Sequence, residues 1–233
     1  MFDLNALKDK IFCSKDDALK KQFEQDVLMD DFMEKLKDIN YLGSGDIGSL
    51  KAVADRIDSL HGWPCDPEKF WDIEAPFWYR RVDVVSKSLI ADELGKFVFG
   101  RVLNIGSGSS SYVDSVNLDI SFEMLSWNPS DIKVQADALS LPFKDKSFDS
   151  AAVVFVANYI KDLPLFVSEL RRVLKDNGNV LFVQGKSINR LHMLAENKNF
   201  SLDSFAALLR SAGFLVRKIE KDNLIFLRCK RVL

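Results

Sequence analysis

The chain has 233 residues, 47% of them hydrophobic, enough to bury a real core as one large domain or as a domain with an appendage. A net charge of −2 and a pI near 5.8 leave no electrostatic footprint for nucleic acid. No apolar run approaches the ~18 residues of a membrane span, and Met1-Phe-Asp-Leu-Asn is too acidic for a signal peptide.

The first hundred residues read as helices. Leu4, Leu7 and Ile11 start one, and Ser14 caps a second that carries Leu19, Phe23, Val27, Leu28, Phe32 and Leu36 along one face. Gly43-Ser-Gly45-Asp-Ile-Gly48 spells a dinucleotide fingerprint but leaves a helical pattern rather than a strand. It reads as a linker, with Gly43 closing one helix and Ser49 capping the next, which carries Leu50, Val53, Ile57 and Leu60. Cys13, Cys65 and Cys229 are odd in number and without Cys-x-x-Cys spacing, as free thiols of a reducing cytoplasm would be. With two histidines and no paired ligands, no metal site is expected. His61 reads as a helix end. Asp66-Pro67 is an N-cap followed by proline at the first helical position. Pro76 interrupts the helix begun there, and a last helix is expected from about Phe77 to Gly95.

From Phe97 short apolar strands alternate with helices. The strands are expected at Arg101–Ile105, Val116–Asp119, Ile132–Gln135, Ala151–Phe155, Asn179–Gln184, Leu215–Glu220 and Leu224–Lys230, the last two forming a hairpin around Lys221-Asp222-Asn223. Helices fit at Ser121–Trp127, Leu163–Leu174 and Leu202–Ala212. The alternation predicts an α/β fold: a doubly wound, mostly parallel seven-stranded sheet with one antiparallel strand. The expected domains are a helical cap over 1–96 and the sheet domain over 97–233.

The first strand breaks into Gly106-Ser107-Gly108, and the second ends on a lone acid, Asp119. A tight glycine turn lets backbone approach a ligand, and a carboxylate ending the next strand can accept from both hydroxyls of a ribose. Downstream come Gln135-Ala-Asp137-Ala138, Leu141-Pro-Phe143, Ser147-Phe-Asp149 and Leu170-Arg-Arg-Val-Leu174. In this order and spacing, from about Val102 to Lys230, the motifs resemble class I S-adenosylmethionine-dependent methyltransferases, closest to the small-molecule branch.

The resemblance implies a Rossmann-like sheet, S-adenosylmethionine as cofactor and a small-molecule methyl acceptor. By it, Gly106, Ser107 and Gly108 would lie against the methionine part, Asp119 would hold the ribose and Ile120 would flank the adenine. Asp137 and the Ala138 N–H would read the adenine edge, and Phe155 would sit beneath the methionine chain. Each residue also has a plain reading as a turn, a cap or core.

Two departures stand out. Only Gly106 to Ser115 join the first two strands, fewer than the dozen or so residues of a usual parallel crossover, so the helix there must be vestigial. Its N-terminus would normally face the cofactor carboxylate. Serines 107, 109, 110 and 111 could supply donors, and Arg80 or, preferably, Arg81 the charge. After the fourth strand stands Asn158-Tyr159, which can orient a substrate but offers no ready base. His192, in the long connection after the fifth strand, is the candidate base, against the plain reading of an exposed loop histidine. The aromatic group Phe70, Trp71, Phe77, Trp78 and Tyr79 reads first as core and second as a substrate contact. Two rivals remain: a nicotinamide oxidoreductase, opposed by Ser111 in place of a third glycine, and a non-catalytic cofactor-binding or scaffold protein.

Overall fold

The computed structural model of the chain describes residues 17–78, 80–187 and 191–232. The helix expected from Leu4, the Ser14 cap, Cys13 and Tyr79 lie outside them. The chain divides into two compact units, the first ending at Trp63 and the second starting at Pro64. The helices between Pro67 and Phe97, which sequence pattern grouped with the preceding ones, thus belong to the unit that holds the sheet.

In the first unit, helix α1 (Asp17–Lys37) runs into a single π-helical turn, Asp38–Leu42, and stops at Gly43, whose φ of 63° is the left-handed C-cap. Helix α2 (Ile47–Ala54) is capped by Asp46, whose carboxylate accepts from the Gly48 and Ser49 N–H groups. The fingerprint-like stretch is a linker, as read, but the cap is Asp46 and not Ser49: a carboxylate three residues ahead outcompetes a hydroxyl already inside the first turn. Helix α2 also ends at Ala54, short of Ile57 and Leu60. Phe32 packs edge-on against Trp63 at 5.2 Å in the core of this unit.

The second unit opens with helix α3 (Pro67–Trp78), started by Asp66, whose Oδ1 accepts from the N–H groups of Glu68 and Lys69. Pro76 lies inside α3 rather than before a new helix, and α3 ends two residues later. Helix α4 (Val84–Phe97) starts from the Asp83 cap. One helix expected from Phe77 to Gly95 is therefore two helix parts with a turn between, and Arg80 and Arg81 sit in that turn.

The sheet strands are β1 (Val102–Ile105), β2 (Val116–Asp119), β3 (Lys133–Gln135), β4 (Phe148–Val154), β5 (Leu174–Gly185), β6 (Phe214–Lys221) and β7 (Leu224–Arg231). Their spatial order is β3-β2-β1-β4-β5-β7-β6, parallel from β3 to β5, with β7 antiparallel to both β5 and β6. This is the mixed seven-stranded, Rossmann-like sheet the alternation predicts. Helices α5 (Phe122–Ser126), α6 (Leu163–Val173) and α7 (Leu202–Ser211) complete it.

Period-two alternation sends the strand residues to two cores. Leu103, Ile105, Ala151, Val153, Val180 and Phe182 pack with Phe166 and Leu170 of α6 and Phe205 and Leu209 of α7. Val102, Ala152, Val154, Leu181 and Val183 pack on the other face with Ile90 and Leu94 of α4. Glu93 pins α4 to the hairpin through Lys221 (2.6 Å) and Arg228 (2.7 Å).

Between β1 and β2 there is no helix, as the short connection requires. Without one, the crossover cannot satisfy its own backbone, and side chains do part of that work. Asn117 donates to the Ser115 carbonyl at 3.0 Å and accepts from Asn104, its register partner on β1, also at 3.0 Å. Tyr112 and Val113 of the crossover pack against the α4 core.

Candidate active site

A pocket opens beyond the C-terminal ends of β1, β2, β3 and β4, the place where ligands bind in an open α/β sheet. Gly106 and Gly108 leave β1, Asp119 ends β2 with Ile120 after it, Asp137 and Ala138 follow β3, and Phe155 follows β4. All seven line the pocket, and Tyr159 joins them from the 3-10 turn Ala157–Tyr159. Four predicted residues do not line it: Ser107, Arg81, Asn158 and His192.

The glycine loop and the acid are one unit. Gly108 N–H donates to Asp119 Oδ2 at 2.8 Å, and Ser121 N–H donates to Oδ1 at 3.0 Å. Burial pushes the Asp119 carboxyl up to about 6, against the lowering effect of these backbone donors, with Asp72 nearby adding to the rise. Gly106 and Gly108 have φ of 63° and 54°, left-handed conformations that suit glycine. A Cβ on Gly106 would meet Val156 Cγ2 at 2.3 Å, whereas one on Gly108 would find Trp78 Nε1 at 3.4 Å. The side-chain clash expected from a cofactor at Gly106 is thus made by the protein's own Val156. Ser107 supports the loop from behind: its N–H bonds the Leu118 carbonyl at 3.0 Å, while Asn128 donates to Gly108 O at 2.8 Å.

Asp137 is exposed and folds its own turn, Oδ1 accepting from Leu139 N–H at 2.8 Å, while Ala138 is buried. Phe155 holds a φ of 59°, a strained choice for a bulky residue. Its N–H remains bonded to Val183 O at 2.8 Å, so the sheet ladder holds it there.

His192 is buried, not an exposed loop residue. Its Nε2 lies 3.0 Å from Glu74 Oε2 and its Nδ1 lies 3.0 Å from the Tyr159 hydroxyl. Trp78 stacks on the ring at 5.4 Å, with Phe70 and Trp71 edge-on. Burial holds the imidazole below its usual range despite the Glu74 carboxylate. Burial also pushes the Tyr159 phenol well above its usual range. Alone it would raise the Glu74 carboxyl, but the His192 hydrogen bond and the Arg81 guanidinium outweigh it and hold it low. Asn158 is buried away from the pocket, its amide 3.4 Å from Glu196 Oε1.

Arg81 corrects a sequence expectation. Its Nη2 is 2.6 Å from Glu74 Oε2, so its charge serves a buried carboxylate rather than the pocket. With α3 ending at Trp78, Arg81 lies in a turn and not on a helix facing the glycine loop.

Sequence reading missed Glu74 as a site residue. It did carry a signal: Trp71, Glu74 and Trp78 recur at i, i+3 and i+7, one face of α3, and a lone acid between Ile73 and Ala75 needs a partner once buried. The aromatic group splits accordingly, Trp71 and Trp78 lining the pocket while Phe70 and Phe77 are buried.

Residues 102–182 match the family described as methyltransferase domain. A demethylmenaquinone methyltransferase of Renibacterium salmoninarum is 30% identical over 145 residues, 54% of this chain and 61% of that protein. The uncharacterized methyltransferase YcgJ of Bacillus subtilis is 29% identical over 153 residues, 53% of this chain and 60% of that protein. An uncharacterized protein of Methanocaldococcus jannaschii is 38% identical over 106 residues, 42% and 41% of the two chains. This chain thus spans about three fifths or less of the length of these relatives. Among solved structures, a Thermotoga maritima methyltransferase described as a possible histamine N-methyltransferase aligns with a TM-score of 0.58 at 18% identity, covering 69% of this chain and 98% of its own. The YcgJ structure aligns with a TM-score of 0.53 at 18% identity, covering 65% and 100%. At these identities the structural likeness establishes the fold.

Proposed function

We propose that this chain, which carries a class I S-adenosylmethionine-dependent methyltransferase domain, transfers a methyl group from S-adenosylmethionine to a small-molecule acceptor. The observation that carries the reading is the Asp119 carboxylate, buried, tied to the glycine loop and facing the pocket.

The residues present fit the cofactor. A carboxylate that accepts one backbone N–H on each oxygen keeps a further lone pair on each for a ribose hydroxyl, and the bare Gly108 gives backbone access beside Trp78. Ile120 and Ala138 would border the adenine, with Asp137 accepting from its amino group. Phe155 and Trp78 would flank the methionine chain. The cofactor supplies an electrophilic methyl carbon on a sulfonium. The chain's part is to orient the acceptor at near-attack distance and to keep water out.

A small-molecule acceptor is supported by the aromatic walls of the pocket and by the likeness to a demethylmenaquinone methyltransferase. Among the described residues no helix is long and apolar enough to cross a membrane, and Cys65 and Cys229 are free thiols, in keeping with a reducing cytoplasm.

Calorimetric titration with S-adenosylmethionine and, separately, with NADH tests the reading. Binding of the first and not the second, lost in Asp119→Ala, is expected. Preference for NADH would reassign the site to the oxidoreductase class. Binding without turnover of the methyl donor on a broad acceptor panel would favour a cofactor-binding or scaffold role.

A further inference from the structure

Behind the pocket wall, three groups stand in line: the Tyr159 hydroxyl, the His192 imidazole and the Glu74 carboxylate, each 3.0 Å from the next. Glu74 is ionised and can only accept, so His192 Nε2 carries the hydrogen. Nδ1 is then a bare lone pair, and the Tyr159 O–H must donate to it. The Tyr159 oxygen is left with acceptor capacity alone, which the neighbouring Asn158 amide shares, on a residue that lines the pocket. Arg81 braces Glu74 from the other side at 2.6 Å. Among the described residues, the rings of Phe70, Trp71 and Trp78 pack around the imidazole, and the Asn158 amide beside Tyr159 lies 3.4 Å from Glu196 Oε1.

We propose that Tyr159, His192 and Glu74 form a proton relay opening on the pocket, and that the methyl acceptor is accordingly a hydroxyl compound of the phenol type. This rests on the methyl-transfer reading and names the substrate class for it. An acceptor hydroxyl donates to the Tyr159 oxygen. Its oxygen forms the new bond to the methyl carbon as the carbon–sulfur bond breaks, with that electron pair staying on sulfur. The hydroxyl proton passes to Tyr159 as the Tyr159 proton passes to His192 Nδ1. The imidazolium so formed is stabilised by Glu74, then loses its proton to solvent in the next opening of the pocket. A neutral amine attacks through its lone pair before any proton leaves and needs no such chain. An ammonium would need a carboxylate on this wall, whereas Asp119 and Asp137, the pocket's carboxylates, lie on the strand-end side. Trp71, Trp78 and Phe155 around Tyr159 offer ring faces and edges to a flat acceptor.

Nitrogen-15 NMR of the His192 ring, on protein without added cofactor near neutral pH, should show hydrogen on Nε2 and a bare Nδ1. Hydrogen on Nδ1 overturns the relay. Binding of S-adenosylhomocysteine by calorimetry should survive in Tyr159→Phe and His192→Gln. If the unaltered protein itself does not bind it, the methyl-transfer reading falls and the hydroxyl assignment falls with it, whatever the NMR shows. Phenol and 4-nitrophenol, the second largely ionised in solution at pH 8, serve as acceptor probes at that pH. Tyr159→Phe and His192→Gln should slow phenol methylation at least about a hundredfold more than 4-nitrophenol methylation, the lower end of the usual range for general base catalysis. Equal losses on both probes, or turnover of neither by the unaltered protein, overturn the proposal. Glu74→Gln removes the carboxylate that raises the His192 pKa, so the acidic limb of the phenol rate profile should move to lower pH. An unmoved limb would make Glu74 a packing residue and break the relay at its far end.

Discussion

Gly108 and Asp119 are joined by a 2.8 Å hydrogen bond from the loop N–H to the carboxylate that ends β2. The bond locks the glycine turn to the second strand and leaves the carboxylate buried with its charge only partly compensated. The pKa of about 6 records that deficit.

This predicts a pH dependence with a definite sign. The folded protein holds the Asp119 proton up to about pH 6, and an unfolded chain releases it near the ordinary value of 3.8. Stability from this group is therefore fully present below the ordinary value and lost as pH rises through 6, a difference of roughly 3 kcal/mol for about two pKa units. Ribose hydroxyls donating to the carboxylate would offset that loss. The thermal shift produced by S-adenosylhomocysteine should thus be larger at pH 8 than at pH 5, and Asp119→Ala should weaken binding at least about tenfold at pH 8. A shift independent of pH would separate Asp119 from the ligand.

Gly106 presses on Val156 rather than on open space. Ala at 106 would place a Cβ 2.3 Å from Val156 Cγ2 in a left-handed backbone. Backbone strain of about 1–2 kcal/mol and overpacking of about 1–3 kcal/mol add up to a substantial loss. Gly106→Ala should lower the melting temperature, and Val156→Ala in the same chain should restore part of it. Purely additive effects in that double-mutant cycle would mean that backbone strain alone is responsible.

Asp137 uses Oδ1 to close its turn onto Leu139, which leaves Oδ2 for a ligand. Asp137→Asn keeps the turn acceptor but presents an NH₂ group where an acceptor is needed. It should therefore keep its melting temperature and lose cofactor affinity, while Asp137→Ala loses affinity and some stability. If Asn binds as well as Asp, the residue is a turn former only.

The sheet was legible because its signals are local. Short apolar runs and turn residues placed all seven strands, and the ordered motifs marked the strand ends. Arg172 shows why two of those motifs travel together: its guanidinium bonds the carbonyls of Leu141 and Phe143, while Glu169 accepts from Leu141 N–H. The α6 motif is thus a clamp on the Leu-Pro-Phe loop. What stayed hidden depends on contacts distant in sequence. Glu74 and His192 are 118 positions apart, and neither is informative without the other. Pro76 removes one i→i−4 bond from the last turn of α3, yet the helix runs on to Trp78, so the break comes two residues later than the proline suggested. Arg81 was assigned by the charge a cofactor needs, while the buried carboxylate it serves was invisible.

Arg81 is accordingly expected to matter for the fold more than for the cofactor. Glu74 has a side chain only 1% exposed and is held ionised by His192 and Arg81 together. Its contribution to stability is present at neutral pH and lost as pH falls through its depressed pKa, below 4.5. Replacing Arg81 by Met takes a charged partner from that buried carboxylate, a loss of up to about 3–5 kcal/mol. Arg81→Met should therefore melt at a clearly lower temperature, and the deficit should shrink toward low pH as Glu74 takes up a proton. Glu74→Gln in the same chain removes the stranded charge and should recover part of the loss. Cofactor affinity, measured by calorimetry at low and high salt, should stay within about threefold of the unaltered protein, under ~1 kcal/mol. A large, salt-sensitive loss of affinity with an unchanged melting temperature would instead return Arg81 to the cofactor carboxylate.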